Sequence, residues 1–371
     1  MPVSVVRRER QWRWAVVAVV AVLLVAAPLV AGAVGPSGPS VDAGRLRDLV
    51  QRSDSVMYEG DAQSTGSLAL PQLPNLADVS ALFAGTTTMR AWYAGPDRYR
   101  VATLTTAGER DVYRLPQGEY TWDYGANMLT ELAGQPAVRL PRASDLLPPE
   151  LARWILRSAP GEAVSTLPAR RVAGIDASGL RLVPADPDTT IGRVDLWADP
   201  VSGLPVRVEV TARGQENPVL VTSFDDVEQR PQVVDTPHAA PGSGFTVTNA
   251  PDISKALGSL GRVRLPGTLA GKPVRQAEFG GVEGAALYGS GLSTFAVVGV
   301  PRNVADAAAD AASKAGGTKS GDTVLLSITP LSLAIVRPPG TRRSYLLAGP
   351  VSTPVLTSAG DDLARLRRSG R

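Results

Sequence analysis

The sequence predicts a mainly β chain of the α+β class. About ten antiparallel strands form a curved sheet covered by helices, a smaller α+β domain follows, and an apolar helix precedes both. Three observations predict this. Arg171 to Val210 reads as three successive strands with a two-residue alternation. Leu180 and Leu182 oppose Arg181, Val194 and Leu196 oppose Arg193 and Asp195, and Val206, Val208 and Val210 oppose Arg207 and Glu209. Side chains alternate faces along a strand, so this sheet has one dry face and one wet face. The gaps between candidate strands are too short for parallel crossovers, which need a dozen or more residues. Finally, 371 residues at 44% apolar and 20% charged provide length and material for two cores.

In chain order, residues 1–13 form a basic region, with Arg7, Arg8, Arg10 and Arg13 against Glu9. Residues 14–34 are apolar, with Pro28 and Ala31-Gly32-Ala33 near their end. A charged start, an apolar run, a helix breaker and an Ala-x-Ala pattern compose a secretory signal peptide. The same run, about 21 residues long, could instead span a bilayer of roughly 30 Å. Both readings place the body on the extracytoplasmic side, membrane-anchored or secreted, with the basic region in the cytoplasm. The formal net charge of +3 resides in these first residues and the rest is balanced. A balanced body offers no electrostatic footprint for nucleic acid.

After a GPSGPS tether, Val41 to Tyr58 carries Leu46, Leu49, Val50 and Val56 at helical spacing, with Asp42 as N-cap. The period then switches to two. Strands are expected at Gln63–Leu70, Thr86–Tyr93, Arg98–Leu104, Arg110–Leu115, Glu119–Asp123 and Met128–Leu132, separated by turns such as Gly95-Pro96-Asp97 and Pro116-Gln117-Gly118. A helix at Pro148–Ser158 places Leu151, Trp154 and Ile155 on one stripe. The three opening strands follow, with Asp199-Pro200-Val201-Ser202-Gly203 as a hairpin turn, and Pro218–Val227 ends the first domain, residues 42–230. Residues 231–250, rich in Pro, Gly, Ser and Ala, read as a linker. Residues 251–368 form the small α+β domain, with strands at Gly284–Tyr288, Ser293–Val300, Gly321–Ile328, Ser332–Arg337 and Ser344–Ala348. Its first helix is expected to be capped by Asn303 and ended by Gly316-Gly317, and its last opens at Thr353-Pro354.

Little in the chain could do chemistry. There is no cysteine, which excludes disulfides, a lipid-acceptor cysteine, thiolate metal sites and a cysteine nucleophile. The single histidine, His238, lies in the linker, so no multi-histidine metal site exists and no metal or cofactor is expected. Ser293 lacks a nucleophile-elbow pattern. Asp225-Asp226 reads as a solvated strand end, because adjacent strand residues point apart. Gly280-Gly281-Val282-Glu283-Gly284 has no following Lys–Ser/Thr and is not a phosphate loop. Leu265-Pro266-Gly267-Thr268-Leu269 lacks the rest of a sorting signal. No enzyme is expected.

The aromatics are more informative. Tyr120, Trp122 and Tyr124 share one strand face, and Trp92, Tyr99 and Trp197 occupy others. In a filled core they are packing residues. Under an open concave face they line an apolar cavity.

The leading helix, the long meander, the interrupting helix and the segments Gly174, Leu180–Pro184, Asp195-Leu196-Trp197-Ala198-Asp199 and Gly203-Leu204-Pro205 resemble the LolA/LolB lipoprotein-carrier superfamily. Within it the chain is most similar to the amino-terminal domain of the RseB/MucB periplasmic regulators, over roughly residues 42–230. The resemblance implies an open antiparallel half-barrel with helices as a lid over an apolar cavity for a lipid or lipoprotein acyl chain. It also implies, as the alternative, an envelope-stress regulator whose second domain binds a single-pass membrane protein such as an anti-sigma factor. On that reading Tyr120, Trp122, Leu180, Leu182, Leu196, Val206 and Val208 line the cavity, and Leu151, Trp154 and Ile155 form the lid. Apolar burial, at roughly 25 cal/mol per Å², would drive binding.

Overall fold

The computed structural model describes residues 41–68, 77–105, 108–134, 140–249, 265–275, 284–340 and 343–365. Residues 1–40, with the expected apolar helix, lie outside them. Among the described residues no helix is long and apolar enough to cross a membrane.

Helix α1 (Ala43–Gln51) starts where the Asp42 carboxylate accepts from the Gly44 and Arg45 amides, at 3.0 and 3.3 Å. This is the predicted cap, although the helix ends at Gln51 and a short 3-10 turn, Ser53–Ser55, follows. Strands β1 (Tyr58–Gly66), β2 (Thr86–Gly95), β3 (Arg98–Thr105), β4 (Gly108–Leu115), β5 (Gly118–Asp123) and β6 (Met128–Ala133) come next, with helix α2 (Ala77–Ala84) between β1 and β2. A second 3-10 turn, Ala143–Leu146, leads into helix α3 (Pro148–Ser158). Strands β7 (Val164–Val172), β8 (Ile175–Leu182), β9 (Ile191–Ala198), β10 (Pro205–Ala212), β11 (Pro218–Glu228) and β12 (Gly244–Asn249) complete the region.

These make one sheet of twelve strands in the order β12-β6-β5-β4-β3-β2-β1-β11-β10-β9-β8-β7. The two end strands do not pair with each other, so the sheet stays open. Every neighbouring pair is antiparallel except β12 with β6. Two strands exceed the ten expected. β7 carries Pro168 and an interrupted register, both tolerated on an edge strand. β12 arises within residues 231–250, so that segment is partly sheet and more than a tether. β1 also runs earlier than expected, because its inward positions are small apart from Tyr58: Gly60, Ala62, Ser64 and Gly66. Gly66 has no room for a side chain, since a Cβ there would lie 2.2 Å from the Phe83 carbonyl oxygen of α2.

The inner face of the sheet is covered by α1 and α3. Leu46 and Val50 of α1, with Leu151, Ala152, Ile155 and Leu156 of α3, pack on Leu180, Leu182, Leu196, Val206 and Val208. The β9–β10 turn is tight because Gly203, at φ +75, lies directly against the Leu49 backbone of α1.

The second sheet has eight strands: β13 (Thr268–Leu269), β14 (Lys272–Arg275), β15 (Ala285–Tyr288), β16 (Phe295–Pro301), β17 (Thr318–Ser320), β18 (Thr323–Ile328), β19 (Leu331–Val336) and β20 (Arg343–Gly349). Their order is β13-β14-β15-β16-β20-β19-β18-β17. Helix α5 (Thr353–Arg365), opening at the predicted Thr353-Pro354, packs Val355, Leu356, Ala359 and Leu363 on one face. Helix α4 (Arg302–Lys314) packs Ala305, Ala309 and Ala312 on the other. Asn303 does not cap α4. The helix starts two residues earlier than that cap would set, at Arg302 behind Pro301 and without a side-chain cap, and ends where the Gly317 amide donates to the Ala312 carbonyl.

The two sheets share contacts. Leu68, Ala212 and Val219 join the α4-side core of the second sheet. The β8–β9 connection docks on it as well. Thr189 Oγ1 donates to the Leu292 carbonyl at 2.6 Å, Lys272 Nζ lies 3.0 and 2.8 Å from the Asp186 and Asp188 carboxylates, and Ser293 Oγ donates to Asp186 at 2.5 Å.

Candidate binding cavity

A cavity of about 220 Å³ lies between the start of β1, the second half of β2, the start of β3, the two 3-10 turns and helix α3. Its floor follows from strand register. Tyr58 of β1 pairs with Tyr93 of β2, and Tyr93 pairs with Tyr99 of β3, so all three rings emerge on the inner face in a row. They stack at centroid distances of 5.0 and 6.2 Å and interplanar angles of 13° and 14°. Phe224 meets Tyr58 edge-on at 5.5 Å. Ala91, Val101 and Leu147 supply apolar wall.

The roof is set by Arg153, on the buried side of α3 and only 1% exposed. Its Nη1 donates to the Ser53 carbonyl and hydroxyl, both at 3.2 Å, and its Nη2 pairs with Glu150. The guanidinium also lies 5.8 Å from the Tyr93 ring centroid, and Tyr93 Oη donates to the Asp54 carbonyl at 2.9 Å. A buried charge persists only when paired and hydrogen-bonded, and Arg153 meets both conditions. From the other side, Arg47 Nη2 donates to the Ala159 carbonyl at 3.0 Å, tying α1 to the end of α3.

Tyr58 is fully buried, and its hydroxyl has no hydrogen-bond partner among the described residues. Burial pushes its ionisation well above the usual tyrosine range, with Glu150 adding to the rise. Tyr93 is raised for the same leading reason, burial. Both hydroxyls are therefore neutral donors at physiological pH.

The structure places the expected site residues in two groups. Leu180, Leu182, Leu196, Val206 and Val208 come together, fully buried in one core under α1 and α3. Tyr120 and Trp122 lie on the opposite, outer face. Tyr120 pairs with Tyr113, Tyr113 with Arg100, and Arg100 with Trp92, one residue out of phase with the inward Tyr93. There they pack with Leu115, Leu129 and Val234, the last from the 231–250 segment. None of the seven residues lines the cavity. Of the expected lid residues, Leu151 and Ile155 face inward, but Trp154 is 59% exposed. The buried arc of α3 runs from Leu151 and Ile155 through Ala152 and Leu156 to Arg153, which turns Trp154 outward.

The residues that define the cavity, Tyr58, Tyr93 and Arg153, were not singled out from sequence. One signal was available: Tyr93 and Tyr99 flank the Gly95-Pro96-Asp97 turn, and a hairpin there brings them into register. Arg153, between apolar neighbours on an amphipathic helix, reads as solvated until the helix face is known.

The outer face holds a second polar group. Asp111 accepts from Arg100 Nε at 2.8 Å and from Tyr113 Oη at 3.2 Å, and burial pushes its carboxyl up to about 6 despite the Arg100 charge. The Arg100 guanidinium stacks 4.4 Å from the Trp92 ring centroid.

No family model matches the chain, and no curated protein matches it. Among solved structures, the chain is similar to MucB in the Pseudomonas aeruginosa MucA/MucB complex, at 15% identity and a TM-score of 0.48, over 86% of this chain and 96% of that one. A conserved protein from Thermus thermophilus is similar at 9% identity and a TM-score of 0.33, over 56% and 99%. A LolA superfamily protein from Nitrosomonas europaea is similar at 13% identity and a TM-score of 0.23, over 53% and 96%. At such scores neither ligand nor partner is carried across.

Proposed function

We propose that this chain is an exported, non-enzymatic envelope protein that holds the acyl part of a lipid or lipoprotein between its twelve-stranded sheet and helix α3. The observation that carries this reading is the cavity itself. It joins an apolar and aromatic wall of Tyr58, Ala91, Tyr93, Tyr99, Val101 and Leu147 to a polar one of Asp54, Ser144, Asp145, Glu150, Arg153 and Arg157, and the acyl carbons would lie against the first. Its volume of about 220 Å³ lies below the roughly 300–1,000 Å³ of such pockets, so a longer chain is accommodated by α3 lifting from the sheet. The basic start and apolar run of residues 1–34 supply the export.

The test is mass spectrometry of organic extracts from the full chain purified out of its native membrane, beside an Ala91→Phe variant. Ala91 lines the cavity and is nearly fully buried, so a phenyl ring there fills the space at a cost of about 1–3 kcal/mol. Wild type is expected to carry one acyl compound per chain and the variant none. A wild-type protein free of lipid would sink the reading.

A second reading, a regulator that contacts a single-pass membrane protein such as an anti-sigma factor, draws on β12. This end strand leaves Phe245 and Val247 more than half exposed, and an open strand edge can add a partner's strand. Photo-crosslinking from position 247 in membranes tests it, and an absence of any membrane-protein adduct counts against it.

A further inference from the structure

The Tyr58 hydroxyl poses a specific question. It is buried beside a cavity, it is held in its protonated form, and nothing described around it accepts its hydrogen. A buried polar group without a partner costs about 1–3 kcal/mol, so such a donor marks a place for an incoming acceptor. The acceptor's chemistry follows from the surroundings. Beside the apolar Ala91, Val101 and Leu147, the lining carries Ser144, whose hydroxyl is also buried without a partner among the described residues, so a ligand atom entering here meets hydroxyl donors and is best an acceptor. A carbonyl oxygen meets that condition. A free hydroxyl or amine brings a donor of its own that needs a further partner. Charge narrows the choice again. Three carboxylates (Asp54, Asp145 and Glu150) face two guanidiniums (Arg153 and Arg157) around the cavity, and Arg153 is already paired with Glu150. A carboxylate or phosphate on the ligand would meet net repulsion here, whereas a neutral carbonyl would not.

We propose that the cavity takes the neutral ester or amide carbonyl of an acyl ligand, with Tyr58 donating its hydroxyl hydrogen to that oxygen and the Tyr58–Tyr93–Tyr99 stack flanking the adjoining carbons. The proposal rests on the acyl-binding reading above and names the linkage that the site recognises. Tyr58 is thereby a selector of linkage chemistry, while the apolar walls select for chain.

A matched pair of probes tests it: monooctanoylglycerol and its ether analogue, octyl glyceryl ether, which lacks only the carbonyl oxygen. Their affinities for the full chain, held in an amphipathic polymer, are measured by calorimetry, with octanoate as the charged control. The ester is expected to bind about tenfold more tightly than the ether, the value of one hydrogen bond of about 1.4 kcal/mol. Octanoate is expected to bind more weakly than the ester. Tyr58→Phe is expected to abolish the ester–ether difference and leave ether binding unchanged. Equal affinities of wild type for ester and ether, or an ester affinity unmoved by Tyr58→Phe, would overturn the role of Tyr58 and leave acyl binding standing. Failure of wild type to bind either probe would overturn both. If the variant does not fold, infrared spectra of an isotope-labelled ester on the wild-type protein decide the matter. A carbonyl stretch lowered by hydrogen bonding supports the proposal, and one at the frequency of a free carbonyl refutes it.

Discussion

Across β8 to β11 the helices meet Leu180, Leu182, Leu196, Val206 and Val208, and the space between sheet and helix is full. Across β1 to β3 the same helical layer meets a row of tyrosines and a buried guanidinium, and a cavity remains. The difference comes down to side-chain shape and polarity at equivalent inward positions. Aliphatic residues interdigitate from both layers at close to crystal density. Stacked rings present flat surfaces that α3 can bridge but not fill, and the bridge is polar, made by Arg153 through Ser53 and Glu150. A single sheet is thus close-packed along one half and leaves a cavity along the other.

Three substitutions would break or sharpen this contrast. The largest effect is expected on the cavity side, from Glu150→Ala. It leaves the buried Arg153 guanidinium without its anion and should lower unfolding stability by about 3–5 kcal/mol in urea titrations. A loss below about 1 kcal/mol would mean that the roof does not depend on this pair. On the full side, Leu196→Ala is expected to cost about 3 kcal/mol, within the usual range for a buried leucine that leaves a void. A near-neutral result would show slack in the core around Leu196. The smallest effect lies on the outer face and is a pH dependence. The Asp111 carboxyl, raised to about 6 from an ordinary 3.8, keeps in the native state a proton that the unfolded chain has already released. Its contribution is therefore fully present below pH about 4 and lost as the pH rises through about 6, at most about 3 kcal/mol. Asp111→Asn should flatten that part of the stability profile, and an unchanged profile would assign the slope to other groups.

How much of this was legible in the sequence depended on the half of the sheet. The β8–β10 meander was readable because a dry face against water imposes a strict two-residue alternation, and Leu180, Leu182, Leu196, Val206 and Val208 obey it. The register of β1 was not, because its inward residues are mostly small and their role is to let α2 and Phe224 approach. Tyr120 and Trp122 illustrate a different limit. An aromatic pair on one strand face says that the face is covered, and here the cover is Val234 on the outside rather than a helix on the inside. Trp154 misled in a similar way, since a large apolar residue three positions from Leu151 suggests a shared stripe. The arc through Ala152, Leu156 and Arg153 decided otherwise. Arg153 was hidden because its burial depends on two residues, Ser53 and Glu150, of which one lies a hundred positions away.

β1 stands at the middle of the large sheet, hydrogen-bonded to β2 on one side and to β11 on the other, with Glu59 opposite Glu228. Strands β1 to β6 can zip into a local meander as they emerge during synthesis, but the other edge of β1 has no mate until nearly the whole first region has been made. Contacts of such sequence separation form slowly, and an open edge is where chains pair wrongly. A chain that folds in the order of its synthesis thus carries a half-finished sheet until β11 has been made. The order in which the strands are translated, as much as their composition, makes the early life of this protein its most vulnerable period.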